Sequence, residues 1–304
     1  MAESQFTRLV HRAVLEVGGE DRRTFLQGLI SNDVAKVWAK AGSGRAMWAA
    51  LLTPQGKFLY DLFVAERGEV LLLDVEAARA EELRKKLVLY TLRAKVTLAL
   101  AEGLAVHAAF GDGAASALGL EDEAGTAGDF AGGLAFVDPR LAAAGVRLLL
   151  PADSAAAALA GAGLAPADFT AWDRARIRLG LPDGSRDLPV DKAILLENGF
   201  DELNGVDFTK GCYLGQELTS RTKHRGLVRK RLMPVTIDGP VPDPGTPVLL
   251  GEAEAGEMRS AAGDVGLALI RLEHFRQAVG AAFTCGPARL IPWQPDWAVF
   301  PAGE

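Results

Sequence analysis

The feature that most constrains the fold is an alternation of strand-like and helix-like stretches in the first half of the chain. Residues 12–17 are predicted to form a strand, 58–66 and 69–75 a hairpin, and 76–90 an amphipathic helix. A further strand follows over 95–100. Two hairpin strands, a helix and another strand predict an α+β fold of ferredoxin-like type.

The pattern changes after Arg231. Short β-like runs at 232–237, 248–250 and 265–270 are separated by turns rich in Pro and Gly. This spacing is typical of a small β-barrel and predicts a separate C-terminal domain.

Two segments in the middle of the chain are interpreted from local composition alone. Residues 121–133 are rich in Gly and acidic side chains and are predicted to be a loop. Pro166 is predicted to open a helix over 167–179, because proline is favoured at the first helical position.

The composition excludes several classes of protein. Hydrophobic residues make up 49% of the 304 residues and charged residues 24%, which excludes a disordered chain and allows a sizeable core. No apolar run approaches the ~20 residues of a membrane span. The first residues, with an acid at Glu3, lack the apolar core of a secretory signal. Two cysteines are too few for a disulfide scaffold, so we expect a cytoplasmic protein without a membrane anchor.

The charge is unevenly distributed. Lys and Arg number 33 against 39 Asp and Glu, a net charge of −6, which argues against broad binding to nucleic acid. The segment 210–231 nevertheless has seven basic residues and one acid, Glu217. The basic residues are Lys210, Arg221, Lys223, Arg225, Arg229, Lys230 and Arg231. Such an island is usually a solvated surface, and the alternative is a docking site for a small anion or an acidic partner.

This island contains the candidate reactive residue. The run Lys210-Gly-Cys-Tyr-Leu-Gly-Gln-Glu217 places glycines on both sides of Cys212 and Tyr213, which allows a ligand to approach closely. If the nearby basic side chains converge on Cys212, they lower the pKa of its thiol and enrich the thiolate. An inert buried cysteine is the equally weighted alternative. Cys285 lies among small and apolar residues and is interpreted as structural.

Further polar residues are candidates for the walls of a pocket. They are Gln27, Asn32 and Asp33 after the first predicted helix, and Gln55, Lys57 and Asp61 around the turn into the hairpin. Turn formation is the commoner explanation for Asn32 and Asp33 and for the turn 53–56 that includes Gln55. Asp61, however, interrupts an apolar strand, so it is either exposed at an edge or held for a ligand.

Three closely spaced arginines are candidate ligands for an anion. Arg174, Arg176 and Arg178 could bind a carboxylate tail, but their spacing keeps all three from sharing one helix face, so at least one is expected in solvent.

The four histidines are far apart, so no structural metal site is expected. An iron–sulfur cluster usually takes four ligands, mostly cysteines, so this chain is not expected to hold one alone.

The run at 210–217 resembles the signature of YgfZ-type folate-binding proteins, which are relatives of the glycine-cleavage T-protein, an aminomethyltransferase. Matching segments extend over nearly the whole chain: 25–33, 52–61, 176–182, 186–189, 205–210 and 263–271. The segments 186–189 and 205–210 look closest to the branch that contains the mitochondrial factor for late 4Fe–4S protein maturation.

The resemblance implies a T-protein-like three-domain ring, with a folate-binding region over 1–230 made of two interleaved α+β domains and a β-barrel over 231–304. It implies tetrahydrofolate as a ligand and a role in assembling or repairing iron–sulfur clusters in client enzymes, including radical enzymes that modify tRNA. The implied partners are iron–sulfur assembly proteins and those clients. Nucleic acid and membranes are not expected as partners.

The resemblance also implies site residues. Cys212 is expected to be the redox or cluster-handling thiol, assisted by Lys210, Tyr213 and Asp61. The residues expected to bind folate are Gln27, Asn32, Gln55, Arg176, Gly211, Gln216 and Glu217.

The chain departs from the T-protein pattern at two positions. Tyr60 replaces the first of two consecutive acids, and Arg178 stands where the T-protein has a pterin-binding Glu. Whether the chain is an enzyme is therefore left open. A folate-dependent one-carbon (aminomethyl) transferase or demethylase that uses Asp61 as its base is the alternative function. A binding module for RNA or an acidic protein through 210–231 is a third.

Overall fold

A computed structural model describes residues 4–38, 44–226, 228–278 and 282–300, so Glu3 lies outside the described residues. The chain forms two compact units, each assembled from three segments. The first unit comprises Met1–Leu52, Leu59–Trp172 and Asn204–Leu214; the second comprises Thr53–Phe58, Asp173–Leu203 and Gly215–Glu304.

The first unit is built on a sheet of eleven short strands. They are β1 (Gln5–Arg8), β2 (Arg12–Gly18), β3 (Gly44–Leu52), β4 (Phe58–Arg67), β5 (Val70–Glu76), β6 (Thr97–Leu100), β7 (Leu104–Phe110), β8 (Thr126–Phe130), β9 (Gly133–Val137), β10 (Val146–Pro151) and β11 (Ala165–Pro166). Their spatial order is β11-β1-β7-β10-β9-β8-β3-β4-β5-β2-β6. Strands β3, β4 and β5 are apolar and buried over most of their lengths, so they form the centre of one core.

Short helices connect these strands. They are α1 (Arg22–Gln27), α2 (Ala80–Thr91), α3 (Ala114–Ala117) and α4 (Ala155–Gly161), while α5 (Phe169–Arg178) leads from the first unit into the second. In α2 the buried residues Ala80, Leu83 and Leu87 recur every three or four positions. One stripe of this helix therefore faces the core, as amphipathic spacing predicts.

The second unit contains a closed β-barrel. Its strands are β12 (Lys230–Asp238), β13 (Pro247–Leu250), β14 (Ala253–Ala262), β15 (Val265–Arg271), β16 (Phe283–Cys285) and β17 (Ala288–Pro292), in the order β12-β15-β14-β13-β16-β17. Apolar side chains such as Val235, Ile270 and Phe283 fill its core. Helices α6 (Gln216–Arg225) and α7 (Leu272–Gln277) complete this unit. No described helix has both the length and the apolar character needed to cross a bilayer.

The α+β class and the small C-terminal barrel are confirmed, whereas two local predictions are wrong. The predicted loop 121–133 contains β8, because pairing with β9 and with the start of β3 supplies its hydrogen bonds despite a composition that disfavours strands. Pro166 does not open a helix: it lies in β11, paired with β1, and α5 begins at Phe169. Proline tolerates such an edge position because it has no N–H to leave unpaired. The domain boundary at 230/231 stays a prediction.

Candidate functional site

The segment 204–214, which carries Cys212, is an irregular loop held to the segment after α1. Near its start, Ser31 Oγ donates to the carbonyl of Gly205 at 2.6 Å, and the amide of Asp207 donates to the carbonyl of Ser31 at 3.0 Å. At its end, the amide of Leu214 donates to the carbonyl of Gly28 at 3.0 Å. Both ends of the loop are therefore tied to the same short stretch of chain.

Between these two ends, the side chain of Lys210 binds three backbone carbonyls, and we call this set of contacts the Lys210 clasp. Its Nζ donates to the carbonyls of Gln27, Ile30 and Asn32 at 2.7, 2.6 and 2.7 Å. An ammonium has three N–H groups, and each finds an acceptor. Gln27 ends α1, where carbonyls lack partners within the helix. Burial lowers the pKa of Lys210 to about 8, although the carboxylates of Asp33 and Asp207 act in the opposite direction.

A second set of contacts orders the residues just before Lys210. Asp207 accepts from the amide and the hydroxyl of Thr209, both at 2.7 Å, and pairs with Lys36 Nζ at 2.8 Å. Burial opposes ionisation of Asp207, but these hydrogen bonds outweigh it and lower the pKa of the carboxyl to about 2. The turn just before Lys210 is therefore stabilised by the Asp207 carboxylate, which stays ionised at neutral pH.

Cys212 lies two residues beyond this clasp, and its side chain is exposed. Gly211 before it has φ +93°, and a Cβ placed there would meet nothing within 4 Å. Tyr213 after it is buried, with Lys210 Nζ 5.2 Å from its ring centre. The thiol therefore reaches solvent from a backbone fixed on both sides, which excludes the alternative of a buried cysteine.

Cys285 is the opposite case. It lies fully buried in the barrel, where Sγ is 3.8 Å from the carbonyl of Thr246. Burial raises the pKa of this thiol. The interpretation of Cys285 as a packing residue agrees with this environment.

Three of the seven basic side chains of 210–231 are bound to groups of the protein. The ammonium of Lys210 is bound to backbone carbonyls. In the second unit, Lys223 pairs with Asp201 and Arg231 with Glu202. Their convergence on the thiol stays a prediction.

Asp61, the candidate base, is neither exposed nor open to a ligand. Its Oδ1 accepts from Arg12 Nη1 at 2.9 Å, and Trp48 Nε1 lies 3.5 Å from its Oδ2. Tyr60 beside it is also buried, and Arg79 stacks 4.0 Å from its ring centre. Burial raises the pKa of Tyr60.

The Arg12–Asp61 pair belongs to a larger cluster that the sequence reading missed. Three arginines and three aspartates alternate in a buried chain of ion pairs with distances of 2.5–3.3 Å: Asp61, Arg12, Asp74, Arg147, Asp138 and Arg140. Phe63 lies among them, with guanidinium carbons 5.6, 4.8 and 3.6 Å from its ring centre. The available signal was a charged residue inside an apolar strand, as at Arg12, Asp74 and Arg147.

Arg176, expected to bind folate, is bound within the second unit. Its Nε donates to Asp173 and its Nη1 to Asp187, both at 2.6 Å, while Nη2 donates to Ser260 Oγ at 2.9 Å. Arg178 is exposed, so the prediction that the three arginines of this helix do not share one face is confirmed.

Two other side chains expected to bind folate also form hydrogen bonds within the protein. Gln27 donates to Asp33 at 3.0 Å and accepts from the amide of Val34 at 2.8 Å. Asn32 donates to the carbonyls of Trp48 and Asn204 at 2.7 and 2.6 Å. These contacts position the stretch that carries the carbonyls of the clasp.

The remaining residues of that set are near or at the surface. Gln55 and Glu217 are exposed, Gln216 is half-buried at the start of α6, and Gly211 is exposed beside Cys212. In the described part of the chain, no three His, Cys, Asp or Glu side chains are grouped so that they could hold a metal ion.

Comparisons with known proteins show which family this chain is similar to. Residues 229–300 match the model of the CAF17 C-terminal beta-barrel domain. The human iron–sulfur cluster assembly factor IBA57, mitochondrial, is 38% identical over 95% of this chain and 84% of its own length. The IBA57 homolog of Pyricularia oryzae is 32% identical over 88% of this chain and 72% of its own.

A solved structure supports the fold. The glycine cleavage system aminomethyltransferase T from Bartonella henselae aligns with a TM-score of 0.74 over 96% of this chain and 85% of that one, at 17% identity. The predicted relation to the T-protein fold is thereby confirmed. At this identity the likeness concerns the fold and not the activity.

The relatives overturn the expected cytoplasmic location, because the human and fungal proteins are named as mitochondrial. That expectation depended on the few cysteines and on the lack of apolar runs, which do not identify the compartment. The predicted relation to the mitochondrial late-assembly branch is confirmed. With 38% identity to a relative matched over most of both lengths, the chain belongs to the IBA57 family of iron–sulfur cluster assembly factors.

Proposed function

We propose that this protein acts in iron–sulfur cluster assembly and that the Cys212 thiol is the group that contacts the cluster or the protein carrying it. Membership of the IBA57 family supports the process. The observation that carries the role of Cys212 is its exposed thiol on a loop that the Lys210 clasp holds in place.

The chemistry of the thiol suits this role. A cysteine thiolate is a soft ligand of the kind that binds iron in clusters. Cys212 supplies one ligand, whereas a cluster usually takes four. A partner protein or a small thiol would therefore supply the others, and the cluster is cargo shared between molecules. A fixed loop lowers the conformational entropy lost when the thiol binds.

Tetrahydrofolate binding stays a prediction, supported by the sequence resemblance and the T-protein-like fold. Three of the side chains named for it are already bound within the protein. Arg176, Gln27 and Asn32 are hydrogen-bonded to other groups of the chain. No step of the proposed function is assigned to folate.

The two alternative functions gain no support from these contacts. One-carbon transfer with Asp61 as base is disfavoured, because the Asp61 carboxylate is buried against a guanidinium. Binding of RNA through 210–231 is disfavoured by the net charge of −6, and Lys223 and Arg231 of this segment are paired with acids. The identity of the client enzymes, including those that modify tRNA, stays a prediction.

Complementation of a strain that lacks this factor tests the role of Cys212. We expect Cys212→Ser to lose at least about tenfold of the restored activity of 4Fe–4S enzymes. Cys285→Ser is the matched control and should retain function. Because Cys212 is exposed, its variant should accumulate and unfold like the parent. Full rescue by folded Cys212→Ser would exclude the thiol role.

Calorimetric titration with tetrahydrofolate tests the ligand separately. Micromolar binding without product formation would support a folate-binding assembly factor. Absence of binding at two temperatures would remove folate from the proposal and leave the role of Cys212 unchanged.

A further inference from the structure

The end of helix α2 exposes apolar side chains to solvent. Leu89 is 75% exposed and Leu92 91%, and Val88 and Tyr90 beside them are also exposed. Single exposed apolar residues are ordinary on protein surfaces, but a contiguous group marks an interaction site. Leu83 and Leu87 of the same helix are buried, so the helix is already anchored and this group is additional to its packing.

Leu92 is also held in an unusual backbone conformation. It follows the last residue of α2 with φ +43° and ψ −100°, a region that side chains other than glycine rarely adopt. A glycine would avoid the strain. The chain instead keeps a large apolar residue there and exposes it, which points to a function outside the fold.

The charges nearest the end of α2 are basic, although acids border them: Arg84 and Lys85 pair with Glu81, and Lys95 pairs with Glu20. Residues 83–101 contain five basic residues and no acid, in a protein whose net charge is −6. Lys85 is 71% exposed and makes one contact of 3.7 Å with Glu81, and Lys86 and Arg93 belong to the same stretch. An apolar centre bordered by cations is complementary to a segment that combines apolar and acidic residues.

The neighbouring strand offers a further mode of attachment. Helix α2 packs against β6, and β6 is the last strand of the sheet, with β2 as its strand partner among the described residues. Thr97 and Ala99 of β6 are exposed. An edge strand can pair with an extended segment of another protein through backbone hydrogen bonds.

From these observations we propose that the surface formed by the end of α2 and the strand β6 binds an acidic, amphipathic segment of a partner protein. The apolar side chains of the segment cover Leu89 and Leu92, and its carboxylates face Lys85, Lys86 and Arg93. The open edge favours a polypeptide over a lipid surface, because lipids offer no backbone to pair with β6. The proposal does not depend on Cys212.

Fluorescence anisotropy with two designed peptides tests this surface. The probe is a short labelled peptide that repeats Glu-Glu-Leu-Val, which places both acids and apolar groups on each face when extended. The comparison peptide carries Lys in place of Glu. We expect the full-length protein to bind the acidic peptide at least about tenfold more tightly than the basic one, and more weakly as salt rises.

Variants separate the docking role from a structural one. Leu89→Ser and Leu92→Gly should each weaken binding of the acidic peptide by about tenfold or more. Leu92→Gly should leave the unfolding temperature unchanged or higher, because it relieves backbone strain. Val241→Ser, at an exposed valine of the second unit, is the control and should bind normally.

Three results would overturn the proposal. They are equal binding of the acidic and basic peptides, unchanged binding by both leucine variants, and binding to vesicles of phosphatidylglycerol without binding to the acidic peptide. Complementation by the Cys212 variants is a separate experiment, so failure here leaves the proposed function standing.

Discussion

Arg147 donates to the Asp74 carboxylate at 2.5 Å, joining strand β10 to strand β5 inside the first unit. Arg12 binds the same carboxylate at 2.6 Å. Asp74 therefore faces two guanidinium groups, and neither is in contact with bulk water. Breaking a buried ion pair is costly because it leaves an uncompensated charge in a medium of low polarity.

Asp74→Asn tests this arrangement. The variant keeps the size of the side chain but removes the charge that two arginines share, so we expect a loss of about 3–5 kcal/mol in the free energy of unfolding. Urea denaturation measures it. Asp129→Asn is the control, since Asp129 is 83% exposed and lies 3.5 Å from Arg67; it should change stability by less than about 1 kcal/mol. Similar losses in both variants would contradict the role of the cluster.

Lys210→Met tests the clasp. Methionine preserves most of the length of the side chain but donates no hydrogen bond, so the carbonyls of Gln27, Ile30 and Asn32 lose their shared donor. We expect a loss of about 2–4 kcal/mol in stability and faster hydrogen exchange at the amides of Asp207 and Leu214. Mass spectrometry of the exchanged protein measures the second effect. Unchanged exchange in this loop would show that Lys210 does not hold it.

Deprotonation of Lys210 makes the free energy of unfolding depend on pH, in a direction that follows from the lowered pKa. Burial lowers the pKa of Lys210 to about 8, from 10.5 for the ordinary side chain. Between these values the unfolded chain retains a proton that the folded chain has released, so this residue makes the free energy of unfolding rise with pH. We expect the parent protein to gain stability relative to Lys210→Met as the pH rises from about 8 to about 10. Urea unfolding of both proteins measures the difference, and a constant difference across this window would contradict the lowered pKa.

Gly56→Ala tests a close approach in the second unit. Gly56 has φ +82°, and a Cβ there would lie 2.6 Å from Leu218 Cβ and 2.7 Å from the carbonyl oxygen of Gly215. Gly68 has φ +60° with nothing within 4 Å of the same position, so Gly68→Ala measures backbone strain alone. We expect Gly56→Ala to be more destabilising by about 1–3 kcal/mol. Equal thermal shifts in the two variants would contradict a steric requirement at Gly56.

Much of the fold could be predicted because its elements carry local signals. The apolar runs of β4, β5 and β15 and the spacing of α2 are visible in the sequence alone. Strand β8 and the position of Pro166 were missed, because both depend on pairing with β9 or β1 rather than on their own residues. Such partners are distant in the chain, and local composition does not report them.

The candidate site, like the fold, could be predicted from the sequence only in part. The run from Lys210 to Glu217 identified the loop and its exposed cysteine. The acceptors of Lys210 are backbone carbonyls, which every residue possesses, so no residue type marks them. Asp61 was singled out as a charge in an apolar strand, and the same reasoning applied to Arg12 and Asp74 would have suggested a shared ion cluster.

The stoichiometry of the buried cluster has an evolutionary consequence. Three arginines face three aspartates, so their formal charges cancel inside the first unit. Replacing any one of them by a neutral residue leaves an unbalanced unit charge in the core. Relatives in which Arg147 is replaced by a neutral residue should therefore also have a neutral residue at Asp74 or Asp138. Substitutions at these positions should thus occur together, one basic and one acidic residue at a time.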